Sequence, residues 1–207
     1  MTTSKQSIPS VSTTDLRKYL DYLKSVRQTA SSTPKGVFVK QFSFSGKGHL
    51  TAIDPVYKQF FGQECEVMDV TGSDNPYDTN IGVDYIVDVK NPRLQTSVEI
   101  WVQERFRTLR YQHYQCVTLI ECNKNSGHLS EIYKTKAQYL VYGYYDDTTN
   151  TLAQAVVVNL PSLVRKIAMN QIKFEIIHNN TTNQNFISVK FEELKKHNLI
   201  EFEFTQA

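Results

Sequence analysis

The order of elements along this chain predicts an α/β or α+β domain built around a mixed sheet. Three observations carry that expectation. The 207 residues suit one domain with a sizeable core. The 12 Tyr and 11 Phe, with many Val and Ile, favour strands. Segments with apolar residues at every second position are interleaved with segments that open on helix-capping residues.

Residues 1–13 are Ser/Thr-rich and read as a disordered tail, with 14–207 as one domain. Thr14 can cap a helix to Gln28 that aligns Leu16, Tyr19, Leu20, Leu23 and Val26 on one stripe. Residues 30–36 read as a loop. Val37 to Phe44 alternates and predicts a strand, with Gly46-Lys47-Gly48 as its turn. Asp54-Pro55 opens a short helix that Gly62 ends, because Asp caps well and Pro suits the first helical position. Glu64 to Val70 predicts a strand and Thr71 to Ile81 a loop. A hairpin over Val83–Arg107 follows, then an apolar strand from Gln115 to Cys122, and a short helix capped by Ser130. Gln138–Tyr145 and Leu152–Asn159 form a strand pair, Pro161 opens a helix to Asn170, and strands are expected at Ile172–Ile177 and Phe186–Val189. A last helix runs from Phe191 to His197.

Composition narrows the classes. With 40% hydrophobic and 21% charged residues this is an ordinary globular chain, and a net charge of +2 leaves any basic surface local. Cys65, Cys116 and Cys122 lack metal-ligand spacing and read as reduced thiols. No apolar leader or run of roughly 20 apolar residues is present, so a cytoplasmic protein is expected. Ser45-Gly46-Lys47-Gly48 lacks the spacing of a phosphate loop. The five His are scattered and read as surface or loop residues, which leaves Ser/His/Asp chemistry unsupported.

The hairpin is the most informative stretch. Val83, Tyr85, Val87 and Val89 share one face of its first strand, as do Val98, Ile100, Val102 and Phe106 on the second. The opposite face carries Asp84, Asp88, Glu99, Gln103, Arg105 and Arg107. A turn centred near Arg93 sets Asp84 opposite Gln103 and Asp88 opposite Glu99. Neighbouring carboxylates repel unless a cation lies between them, so this face is either solvated surface or a metal site.

Asp78-x-x-x-Gly82-Val83-Asp84-Tyr85, followed by a hairpin ending Val102-Gln103-Glu104-Arg105-Phe106-Arg107, resembles the core of the PD-(D/E)XK nuclease superfamily. The resemblance covers Asp78 to Arg107. It implies an α/β fold on the restriction-endonuclease plan, a mixed central sheet flanked by helices, as a single domain with extra C-terminal strands. It implies hydrolysis of DNA phosphodiesters with Mg²⁺ or Mn²⁺, by a restriction-type or mobile-element endonuclease acting as a homodimer. The alternative is a non-catalytic nucleic-acid-binding or assembly protein that retains the fold. In this resemblance Asp84 ligates the metal, Gln103 stands in the acidic place and Arg105 in the lysine place. Gln is a neutral ligand that weakens a hard-cation site, and Arg cannot serve as a base. A second register uses Asp88-Val89-Lys90 with Asp74 or Asp78 upstream; Lys90 abuts the Asn91-Pro92 turn, at the far end from the Asp-rich loop. Glu66 is a further metal-ligand candidate. Glu131 and Lys134 are either a surface pair or a carboxylate and a phosphate-facing cation added to the catalytic set. Arg107, Arg110, Lys124 and Lys136, interspersed with Tyr111 and Tyr114, suit phosphate contact and base stacking.

Overall fold

A computed structural model of the chain describes residues 37–72, 75–91, 96–123, 131–180 and 183–206. Val37–Ala207 forms one compact unit. The expected tail, the helix from Thr14 and the loop over 30–36 lie outside the described residues.

The first described element is a helix, α1 (Val37–Ala52), where alternation predicted a strand and a turn. Phe44, Gly48 and Ala52 recur every fourth residue and form the stripe that meets the sheet. Phe44 packs edge-on to Tyr145 at 5.3 Å between centroids, and Ala52 is fully buried. A Cβ on Gly48 would lie 2.6 Å from the Phe106 ring, so this glycine serves a close helix-to-sheet approach and not a turn. Helical burial there outweighs the roughly 1 kcal/mol that a mid-helix Gly costs. A short alternating run cannot exclude a helix.

The helical path continues through a π turn, Ile53–Lys58, into α2 (Gln59–Phe61). Pro55 therefore sits inside a helix and does not start one. Proline lacks an N–H and its ring pushes against the carbonyl four residues back, and a widened turn relieves both. Gly62, at φ +112°, ends the path as expected. The expected loop over Thr71 to Ile81 also holds a helix, α3 (Pro76–Ile81). Its signals are local: Asn75 Oδ1 accepts from Tyr77 N–H at 3.0 Å, Pro76 occupies the first turn, and Gly82 closes it at φ +58°.

Strands β1 (Glu66–Asp69), β2 (Tyr85–Asn91) and β3 (Thr96–Thr108) form an antiparallel meander. β3 then runs parallel to β5 (Tyr139–Asp146), from Val102 beside Tyr139 to Thr108 beside Tyr145. Parallel neighbours need a crossover. Here it comprises a 3₁₀ turn (Leu109–Tyr114), β4 (Cys116–Asn123) and α4 (Glu131–Lys134). β6 (Thr151–Asn159) pairs antiparallel with β5, and β9 (Ile200–Thr205) with β6, which gives a mixed sheet in the order β1-β2-β3-β5-β6-β9 among the described residues. Between them lie α5 (Leu160–Ala168), capped by Asn159 Oδ1 on Ser162 N–H, then β7 (Glu175–Asn179), β8 (Gln184–Lys190) and α6 (Phe191–Lys196). The chain is thus mixed α/β. β9 was not anticipated from the sequence.

One face of the main sheet packs on α1 and the π turn through Ala52, Val56, Tyr57, Tyr85, Val102 and Phe106. The other face receives a second, antiparallel sheet in the order β4-β8-β7. Thr118 and Cys116 of β4 bind β5 there: Thr118 Oγ1 lies 3.1 Å from Tyr142 Oη, and Tyr144 Oη donates to the Cys116 carbonyl at 2.9 Å. No helix among the described residues is long and apolar enough to cross a membrane.

Candidate functional site

The hairpin register is the one the sequence predicts: Tyr85 lies beside Val102, Asp88 beside Glu99 and Asn91 beside Thr96. One step further along the same register sets Asp84 across from Gln103. The backbone there is closed by Asp84 N–H to the Val102 carbonyl at 2.9 Å. Asp84 Oδ2 accepts the Glu104 N–H at 2.7 Å, so its carboxylate is held at the end of β2, where β3 passes from the hairpin to its parallel pairing with β5. Asp78, upstream, uses Oδ2 to accept the Gly72 N–H at 2.8 Å, which fixes the turn leading into α3.

Alternation then divides β3. Gln103, Arg105 and Arg107 point away from α1, yet they do not form a solvated face. Gln103 is only 3% exposed, and Arg105 Nη1 donates to the Thr118 carbonyl of the second sheet at 3.1 Å. The Arg107 guanidinium carbon sits 4.7 Å from the Tyr111 ring centroid. Most of the expected core face is buried, but Val98, near the start of β3, is 58% exposed.

On the α1 side, between Val102 and Phe106, stands Glu104, a residue the sequence reading passed over. Tyr57 Oη donates to Glu104 Oε1 at 2.8 Å, and His49 Nδ1 lies 3.0 Å from the same oxygen. The His49 ring stacks on Tyr85 at 3.8 Å and 2°. Burial pushes the Glu104 carboxyl above the ordinary carboxylate value; the His49 and Tyr57 contacts oppose that shift, and the nearby Asp69 charge adds to it. Burial and the Glu104 charge together hold the Tyr57 phenol well above its ordinary value, so it stays a donor. His49 is thus a ring-stacked core partner and not one of five scattered surface residues. The available signal was phase: Glu104 falls at an inward position between two apolar residues.

The remaining candidates disperse. Glu66 lies beside Asp88, four residues along β2 from Asp84 and so roughly 13 Å away, and its carboxylate pairs with Lys90. Asp69, beside Tyr85, is the β1 carboxylate nearest the Asp84 end. Glu66, Asp88 and Glu99 make a row across three strands, and the Lys90 of the alternative register is committed to Glu66. Lys134 donates to the Thr79 carbonyl at 2.7 Å and so ties α4 to α3, with Glu131 at the other end of α4. Lys136 is exposed, and Arg110 donates to Tyr111 Oη at 2.9 Å. Lys124 and Asp74 lie outside the described residues. Cys65 and Cys116 carry free thiols.

Among the described residues no group of three or more His, Cys, Asp and Glu is disposed to hold a metal ion. A magnesium ion commonly keeps several waters and takes one or two carboxylates plus substrate phosphates. Asp84 with the Gln103 amide oxygen would supply one carboxylate and one neutral oxygen, which is less than a closed all-protein cage. No protein-family model matches the chain, and no curated protein sequence matches it.

Proposed function

We propose that this chain hydrolyses DNA phosphodiester bonds with a divalent cation, as an endonuclease on the restriction-endonuclease-like plan. The observation that carries the reading is the hairpin register: Asp84 across from Gln103, with Arg105 two residues on and facing the same side. The β1-β2-β3 meander followed by a parallel β5 supports the fold assignment. Asp84 and Gln103 would hold Mg²⁺ or Mn²⁺, which when bound polarises a phosphate and eases ionisation of water. Arg105 is a permanent cation anchored by the Thr118 carbonyl, and its part is to offset phosphate charge. The Glu104 N–H, donated to Asp84, holds that carboxylate in place, and the side chain of Glu104 locks the same point of β3 to α1. Cutting both strands calls for two such sites, so a homodimer belongs to the proposal. The single-carboxylate donor set favours the second reading, a nucleic-acid-binding or assembly protein without catalysis.

The test is cleavage of mixed genomic DNA in Mg²⁺ or Mn²⁺. Wild type should fragment it and lose activity in EDTA. Asp84→Asn keeps an oxygen for the Glu104 N–H but drops the charge, and should be at least about a hundredfold slower. Equal cleavage by wild type and a folded Asp84→Asn variant would overturn the assignment, and metal-independent binding without cleavage would favour the second reading.

A further inference from the structure

A cleft of about 620 Å³ opens between the outer face of the main sheet and the second sheet. Tyr142 and Tyr144 of β5 line it, together with Arg107, Tyr111 and Tyr114 and with Phe186 and Lys190 of β8. The Tyr142 and Tyr144 hydroxyls are engaged with Thr118 and Cys116, so the phenols hold the two layers in register. The cations are placed by aromatic rings: Arg107 over Tyr111, and Lys190 Nζ 5.9 Å from the Tyr114 centroid while donating to the Tyr114 carbonyl at 3.0 Å. Tyr111 and Tyr114 lie 6.4 Å apart at 26°, and Tyr114 is half exposed. Glu175 and His178 also line the cleft.

Such a lining asks for a ligand with a flat unsaturated ring and a negative group. The volume falls within the ~300–1,000 Å³ of sites that take one small ligand. It is too small for a duplex, whose bases are reached only when unpaired or flipped out. We infer that the cleft takes one unpaired nucleotide of a nucleic-acid strand, its base against the aromatic rings and its phosphate between Arg107 and Lys190. The inference rests on the nuclease reading in giving the Arg105–Arg107 face of β3 a nucleic-acid substrate. It adds that the strand must present an unpaired nucleotide. The aromatic rings supply sequence-tolerant stacking and the cations supply the phosphate contact.

The experiment is fluorescence anisotropy in EDTA, without any divalent metal, using labelled dT12, a blunt 12-base-pair duplex and dTMP as competitor. Wild type should bind dT12 more tightly than either the duplex or dTMP. The Tyr111→Ala/Tyr114→Ala double variant should weaken dT12 binding about 5- to 150-fold, and the corresponding double Phe variant should restore it. Lys190→Ala, an exposed position, should lower the salt slope for dT12 by about 0.7 and carries the test if the double variant does not fold. Unchanged dT12 affinity in these variants, a preference for the duplex, or dTMP binding as tightly as dT12 would overturn the inference. Loss of dT12 binding in the variants, with no metal-dependent cleavage by wild type, keeps the cleft and removes the nuclease. Cleavage with an unresponsive cleft does the reverse.

Discussion

The two faces of β3 solve the same problem differently. Towards α1, Glu104 is a buried carboxylate among apolar neighbours, satisfied by side chains of the helix and π turn, Tyr57 and His49. Away from α1, Gln103, Arg105 and Arg107 are covered by a second sheet, and Arg105 is anchored on a backbone carbonyl. The inner polar group is spent on fixing a helix to the sheet. The outer cations are positioned by rings and carbonyls beside a cleft. A buried polar cluster costs little when every member is hydrogen-bonded and a great deal when one is removed. Damage to the inner face should therefore appear as lost stability, and damage to the outer face as lost binding.

The largest effect on this contrast is expected at Glu104. Glu104→Ala leaves the Tyr57 hydroxyl and the His49 ring without their acceptor, at a cost of about 2–4 kcal/mol in urea unfolding. Glu104→Gln keeps an acceptor and should cost much less. It should also change the pH profile. The folded-state pKa of Glu104 is raised by burial, so the stability it contributes is complete below its unfolded value and is lost as pH rises through the folded value. The Gln variant should lack that loss, and a profile identical to wild type would mean the carboxyl is not perturbed by its burial.

A smaller effect is expected on the outer face. Arg107→Ala should cost less than about 1 kcal/mol of stability, the scale of a partly exposed cation–π contact. It should weaken dT12 binding and lower the salt slope by about 0.7. A stability loss as large as that of Glu104→Ala, with an unchanged slope, would erase the distinction between the faces.

The hairpin was legible because its information is local: two alternating strands and one turn set Asp84 against Gln103 whatever the rest of the chain does. The inward phase of Glu104 was legible in the same pattern. What required the structure was long-range. Whether Glu66 or Asp69 lies nearest Asp84 depends on how β1 slides along β2, and no turn connects them closely enough to fix that register. α1 was misread because seven or eight alternating residues suit either period, and because Gly48 looked like a turn when its role is contact with Phe106. Helix α3 carried its own signals in Asn75, Pro76 and Gly82, hidden by a run of polar residues. The cleft could not be foreseen, since it depends on β4 leaving the main sheet to pair with β8.

The central claim is a divalent-metal site on Asp84, and thermal unfolding in Mn²⁺ tests it without knowledge of any recognition sequence. A metal that binds only the native state adds about 2.7 kcal/mol at a hundred times its dissociation constant, an increase of several degrees in Tm for a chain of this size. Wild type should show a saturable rise and Asp84→Asn none, with both melting alike in EDTA. No rise in wild type, or an equal rise in both proteins, would contradict the account.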